Sequence, residues 1–208
     1  MTNFFLVRHG ETDWNLVGRI QGSTDIPLNE TGRTQAAATG EKMQGRRWDV
    51  IISSPLSRAM ETATIISTAL GLPEPTPVPD IVERHYGEAE GMTGPELEAF
   101  YPNDTPVPGR ETRDAVKARV LSALHTIAAE NKGKNVIIVA HGGVIRAVLQ
   151  STTGQAFLGE RITNGSVHSF YHSDDGLQLV QFNDPLDALT DDITLPDFED
   201  QQPLEKRD

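Results

Sequence analysis

Phe4-Phe5-Leu6-Val7-Arg8-His9-Gly10-Glu11-Thr12 is an apolar run that stops abruptly in Arg-His-Gly, the pattern of a short buried strand emptying into a polar loop. In open α/β sheets ligands sit in the crevice beyond the carboxyl ends of the strands, which is where this pattern delivers Arg8 and His9. A neutral imidazole is a nucleophile at pH 7, and a guanidinium is a permanent cation with a planar fork of donors. Gly10 is expected to let the chain turn sharply and bring backbone N–H groups to a ligand. Together these suit attack on a bound oxyanion such as phosphate. Arg-His by itself also fits a strand end with two solvated side chains, so the rest of the chain must decide.

Further strands and helices follow in alternation. Trp48 to Ser54 reads as a buried strand closed by Pro55, and a helix begins near Ser57 with Ala59, Ala63, Ile66 and Leu70 on one face. Gly71-Leu72-Pro73 ends it. Asn135 to Ala140 is continuously apolar, as a strand covered on both faces should be, and it delivers His141-Gly142-Gly143 into another helix. An Ala-rich helix runs from about Asn29 to Gln44, and the stripe Val116, Val120, Leu124, Ile127, Ala128 marks one over Glu111 to Asn131. Ser166 to His172 and Leu177 to Phe182 read as a hairpin around Ser173-Asp174-Asp175-Gly176. Asp13 to Ser23 reads as a polar loop, and Ile81-Val82 as a short strand before Glu83. Glu88 to Arg110 is a long excursion with one short helix over Gly94 to Tyr101, the kind of segment that forms lids and binding loops.

The fold class expected is therefore α/β, a three-layer sandwich with a mostly parallel central sheet flanked by helices. Parallel strands with right-handed crossovers line up their carboxyl ends on one edge. That brings together Arg8, His9, Arg58 in the first turn of its helix, and His141, an anion site with a nucleophile in it. Breaking a phosphomonoester also requires a proton donor for a poor alkoxide leaving group, and Glu83 is the carboxyl available for it.

Composition bounds the rest. The 208 residues are 37% hydrophobic and 23% charged, enough for one domain with its own core. No apolar run approaches the roughly 20 residues that span a bilayer, and the early first strand leaves no room for a signal peptide, so a cytoplasmic enzyme is expected. Without cysteine there is no disulfide framework or thiolate zinc site. Nine acids against two bases from Asp184 onward carry −7 of the net −12, which argues against nucleic acid and anionic membranes as partners. A small anionic substrate is still compatible, because a few arginines set the local potential of a pocket. The domain is expected over 1–183, with an acidic tail over 184–208 that reads as a weakly structured, solvated terminus, folding over the site mouth being the alternative. His125, His168 and His172 read as packed or surface residues rather than metal ligands, His85 as outside the catalytic set, and Trp14 and Trp48 as core or pocket wall.

From Phe4 to about Phe182 the chain resembles the histidine phosphatase superfamily, the phosphoglycerate-mutase-like enzymes. Leu6 to Thr12 is similar to the family's nucleophile motif, and Ser53-Ser54-Pro55-Leu56-Ser57-Arg58-Ala59-Met60-Glu61-Thr62-Ala63 to the motif with its second arginine. Glu83 with Tyr86-Gly87 and Glu90-Gly91 resembles the acid-donor motif, and Val139 to Gly143 the second-histidine motif. The resemblance implies that His9 becomes phosphorylated, that Glu83 is general acid and then base, and that Arg8, Arg58 and His141 clamp the phosphoryl oxygens. It implies further that Asn15, Gln21, Gly22 and Gly142 line the phosphate pocket, with no metal and no cofactor. The expected activity is hydrolysis of a small phosphorylated metabolite by a monomer or homodimer. The alternative is a cofactor-dependent phosphoglycerate mutase, favoured by Glu83-Arg84-His85-Tyr86-Gly87, in which Arg84 and Tyr86 would hold phosphoglycerate. Against it, Pro108-Gly109-Arg110-Glu111-Thr112 runs directly into the long helix, as in the phosphatase branch, with no Arg-Arg-Ser-Phe insert. A third reading, a silent phospho-ligand binding protein, is disfavoured because all five catalytic residue types are present.

Overall fold

The computed structural model describes residues 1–103, 105–157 and 159–186. The elements run β1 (Thr2–Arg8), α1 (Asp13–Leu16), α2 (Glu30–Met43), β2 (Val50–Ser53), α3 (Ser57–Leu70), β3 (Thr76–Pro77), α4 (Gly94–Phe100), α5 (Arg113–Glu130), β4 (Asn135–Ala140), α6 (Gly142–Thr153), β5 (Val167–Ser173) and β6 (Gly176–Gln181). The strands form one sheet in the order β3-β2-β4-β1-β5-β6. The first four are mutually parallel, while β5 runs antiparallel to β1 and carries β6 as a hairpin. This is the α/β sandwich the sequence predicts, with a mixed sheet.

Strand alternation divides the core. Phe4 and Leu6 of β1, with Val136 and Ile138 of β4, pack under α5 and α6. Phe5 and Val7, with Ile137 and Val139, face α2 and α3 on the other side. Successive side chains point to opposite faces, so an uninterrupted apolar run is what a strand between two helical layers requires. Trp48 belongs to the second layer, edge-on to Phe5 at 4.6 Å with its indole N–H on the Met43 carbonyl.

Three local expectations are corrected. Asp13 to Leu16 is a helical turn rather than loop, closed by a reciprocal capping box between Thr12 and Asn15. Ile81-Val82 is not a strand: Pro79 to Ile81 forms a 3₁₀ turn, and the short strand is Thr76–Pro77. Pro79 starts that turn with its fixed φ and missing N–H, and Arg119 of α5 holds the Asp80 and Val82 carbonyls at 2.8 Å each. Gly10 serves the fold rather than a ligand, because its N–H donates to Thr62 Oγ1 at 3.0 Å. Its missing side chain admits the backbone of Gly32, whose Cα would stand 2.9 Å from a Cβ at position 10.

The expected tail lies from residue 187 onward outside the described residues. Asp184 to Leu186 pack on the domain: Asp184 N–H donates to Val167 O at 2.8 Å, its carboxylate accepts from Ser169 Oγ, and Leu186 is buried. Among the described residues no helix is long and apolar enough to cross a membrane.

Candidate active site

Register determines what meets at the sheet edge. Arg8 pairs with Ala140 across β1 and β4, and Ser53 pairs with Val139 across β2 and β4. The next residues, His9, His141 and Ser54, therefore leave adjacent strand ends side by side, with the two imidazole centroids 5.1 Å apart.

His9 is 3% exposed, and its Nδ1 lies 2.7 Å from the Gly10 carbonyl. A carbonyl only accepts, so Nδ1 carries the hydrogen and the Nε2 lone pair is free. Burial, then the cations of Arg58 and Arg8, hold this imidazole well below the ordinary 6.5 and keep it neutral at pH 7. His141, fully buried at the start of α6, has Nε2 at 2.8 Å from Ser54 Oγ and no partner for Nδ1. Burial, followed by His9, Arg58 and Arg8, depresses it in the same way.

Both arginines are anchored by their tips. Arg58 is completely buried and gives its Nη groups to the carbonyls of Thr24 at 2.9 Å and Gly22 at 2.7 Å. Arg8 Nη1 donates to Ile162 O at 2.6 Å. The Nε atoms of both are buried without a partner. Three buried nitrogens thus lack acceptors around His9: Arg8 Nε, Arg58 Nε and His141 Nδ1. Buried polar atoms are almost always satisfied, so such a cluster of donors suits an acceptor-rich ligand. Burial pulls both guanidinium groups below their ordinary value, and Glu83 opposes this in each, as expected of a carboxylate facing both.

Glu83 is held by main-chain donors, Arg84 N–H at 2.7 Å on Oε1 and Gly143 N–H at 3.1 Å on Oε2. A side chain at position 143 would displace the Glu83 carboxylate, since a Cβ would stand 3.2 Å from Glu83 Cδ and closer still to Oε1. Gly142 lies against Arg8, with room for only an ordinary contact at 3.7 Å from Nε. Arg84 donates Nε–H to the Glu111 carbonyl at 2.8 Å and stands over the Tyr86 ring, 5.2 Å from its centroid.

Of the pocket-lining candidates, Gln21 is nearly buried and accepts from Thr12 Oγ1 at 2.9 Å. Asn15 spends its Oδ1 on the Thr12 cap and on Asn164 Nδ2 at 3.3 Å. Gly22, at φ +57°, acts through its carbonyl on Arg58. Glu90 joins this loop to the acid motif, accepting from Ser23, Thr24 and Tyr86 N–H at 3.0, 2.9 and 2.9 Å. Burial opposes its ionisation, but these hydrogen bonds outweigh it and keep its carboxyl below the usual range. Sequence reasoning overlooked Ser54, Thr62 and Gly143. All three lie inside the recognised motifs, yet they act through backbone groups or hydroxyls that carry no signal of their own. Among the described residues no three His, Asp or Glu side chains group as a metal site would require. His125 and His172 sit 5.5 Å apart, centroid to centroid, on the far side of the domain.

A phosphatase of Bacillus subtilis, PhoE, described as uncharacterized, is 40% identical over 185 residues, covering 88% of this chain and 95% of that protein. A metal-independent phosphoserine phosphatase of Arabidopsis thaliana is 42% identical over 180 residues, covering 81% and 75% of the two. Among solved structures, phosphoserine phosphatase of Entamoeba histolytica, an H9A mutant in complex with phosphoserine, superposes with a TM-score of 0.76 at 28% identity, over 89% of this chain and 98% of that one. The family model for the histidine phosphatase superfamily (branch 1) matches residues 4–185, which hold all the candidate site residues, and the chain belongs to that superfamily.

Proposed function

We propose that the chain is a phosphomonoesterase acting on a small phosphorylated metabolite through a phosphohistidine at His9, without a metal or cofactor. One observation carries the reading: three buried, unpartnered nitrogens surround an imidazole whose Nε2 lone pair is free. A phosphoryl group offers three equatorial oxygens to Arg8 Nε, Arg58 Nε and His141 Nδ1.

The chemistry follows from the tautomers. His9 Nε2 attacks phosphorus in line, the P–O bond to the leaving alcohol breaks, and Glu83 gives its proton to that oxygen. With the Ser54 hydroxyl donating to Nε2, His141 keeps its hydrogen on Nδ1 and offers it to the phosphoryl group. Glu83 then takes a proton from water as that water attacks phosphorus. The P–N bond breaks, and phosphate and neutral His9 are released. Asn15, Gln21, Gly22 and Gly142 frame the pocket in this reading, and Arg84 and Tyr86 meet the leaving group. A cytoplasmic setting suits it, since small phosphorylated metabolites circulate there.

The test is to trap the intermediate. Acid-quenched enzyme should carry an acid-labile, base-stable phosphate, absent from His9→Ala, and phosphate release should persist in excess EDTA. A His9→Ala variant keeping a tenth of wild-type turnover contradicts the covalent mechanism.

A further inference from the structure

On its β5 side the strand-end cluster has a brace that lies outside the four motifs. Thr163-Asn164-Gly165-Ser166 forms a β-turn, with Ser166 N–H on the Thr163 carbonyl at 3.1 Å and Gly165 at φ +74°. Asn164 is not among the residues with positive φ, so the turn is of type II, the class that favours glycine at its third position. Arg8 N–H donates to Ser166 O at 3.1 Å and Gly165 N–H to Arg8 O at 2.9 Å, which carries the β1–β5 pairing one residue further. Thr39 of α2 reaches the Gly165 carbonyl through Oγ1 at 3.0 Å. Behind the turn, the buried His168 accepts Asn183 N–H at Nδ1, 3.2 Å away, which puts its hydrogen on Nε2. That Nε2 donates to Ser166 Oγ at 3.0 Å, and the hydroxyl donates in turn to Thr163 O at 2.6 Å.

A side chain fixed in this way can fix others. Asn164 Nδ2 donates to the His9 carbonyl at 2.9 Å and to Asn15 Oδ1 at 3.3 Å. The peptide between His9 and Gly10 is thereby pinned at both edges, its carbonyl by Asn164 and its N–H by Thr62 Oγ1 at 3.0 Å. The next carbonyl along, that of Gly10, is the one that holds His9 Nδ1 at 2.7 Å and frees Nε2. Rotation of this one peptide would move both the backbone that carries the imidazole and the acceptor that sets its tautomer. The Asn164 amide has two hydrogens and both are taken, so it has no donor left for a substrate. Its Oδ1 is an acceptor, as phosphoryl oxygens are.

We propose that Asn164 is a positioning residue for His9, aiming its Nε2 at phosphorus by holding the His9 carbonyl from the β5 side. The assignment rests on the reading of His9 as nucleophile above and adds to it a group that touches neither the substrate nor the reacting atoms. Asn15 keeps the Thr12 N–H on its Oδ1 at 3.2 Å when Asn164 is removed, so the donors that frame the pocket stay in place. What is lost is the line of attack, and misplacement by about 1 Å costs on the order of 10²-fold in rate.

Two variants test this: Asn164→Ala removes the donor, and Asn164→Asp keeps the shape but sets an acceptor against the His9 carbonyl. In Asn164→Ala, kcat/KM for p-nitrophenyl phosphate should fall by between about tenfold and 10²-fold, and in Asn164→Asp it should fall further. Inhibition of Asn164→Ala by inorganic phosphate, which needs only the cations, should weaken by less than about threefold. Inhibition by orthovanadate, whose five-coordinate adduct includes a bond to His9 Nε2, should weaken in step with kcat/KM. Unchanged kcat/KM in both variants, or phosphate and vanadate weakened alike, overturns the inference and leaves the phosphatase reading intact. Thermal melts establish which variants keep the fold, and its loss in both overturns the inference by assigning Asn164 to folding alone. A wild-type enzyme that forms no phosphohistidine, or is inert on p-nitrophenyl phosphate, overturns that reading and this inference with it.

Discussion

Replacing Gly143 by alanine separates stability from chemistry in this site. The position is the second residue of α6, where alanine is the better helix former by about 1 kcal/mol, so the fold should lose nothing. The nearest atoms to the added methyl are those of the Glu83 carboxylate, with Cδ at 3.2 Å and Oε2 at 3.5 Å, and Oε1 well inside contact distance. A carboxylate at the end of a flexible side chain yields cheaply, but it must retreat by roughly 1 Å, and misplacement on that scale costs on the order of 10²-fold in rate. The loss should depend on the leaving group. An alkoxide needs the proton, so kcat/KM for an alkyl phosphate should fall by about 10²-fold. The phenolate of p-nitrophenyl phosphate leaves without one, so its kcat/KM, which reports the first chemical step, should fall by about tenfold at most. Combining Gly143→Ala with Glu83→Gln should cost little beyond Glu83→Gln alone, because both act through one carboxylate. Equal losses on the two substrates, or additive effects in the cycle, would refute the assignment of Glu83 as proton donor held by the Gly143 N–H.

Two further outcomes are expected. Burial first, then the Arg146 cation, bring His168 from 6.5 to about 4. Its native value lies below the unfolded one, so the unfolded chain binds the extra proton between these limits, and stability drops as pH falls from 6.5 towards 4. Unfolding free energies of wild type from urea titrations should therefore fall faster over that window than those of His168→Gln, by at most about 1.4 kcal/mol per pH unit, and identical slopes would reject the burial of a neutral ring. With 3-phosphoglycerate and trace bisphosphoglycerate, phosphate release should outpace conversion to 2-phosphoglycerate. Faster isomerisation would favour the mutase, for which Arg84 beside Tyr86 is the structural argument.

The layers were readable because strands buried on both faces, such as Val136 to Ala140, and helices with one apolar stripe, such as Val116 to Ala128, carry opposite periodicities. The turn Asp13 to Leu16 was not, since it buries no side chain and its only signature is the reciprocal Thr12–Asn15 cap. Ile81 misled for the opposite reason. Its complete burial comes from α5 lying over it, and an apolar pair beneath a helix looks locally like a strand.

The site divides along the same line. The side chains proposed to react could be named from sequence: His9, Arg8, Arg58, Glu83 and His141. The groups that aim them are mostly main chain. The Gly10 carbonyl sets the His9 tautomer, the Gly22 and Thr24 carbonyls turn the Nε of Arg58 towards the pocket, and the Gly143 N–H fixes Glu83. A backbone group has no letter, and its only trace is the glycine that clears space for it. The cavity past Gly143, lined by Arg84, Arg113 and Arg146, is hidden differently. Arg84 follows the 3₁₀ turn, Arg113 opens α5 and Arg146 lies within α6, so their meeting depends on α5 and α6 packing side by side. A short motif at one strand end is legible in a single stretch of sequence, whereas a cavity wall assembled from distant elements is not. The residues that meet at the strand ends were therefore easier to read from the sequence than the cavity beside them.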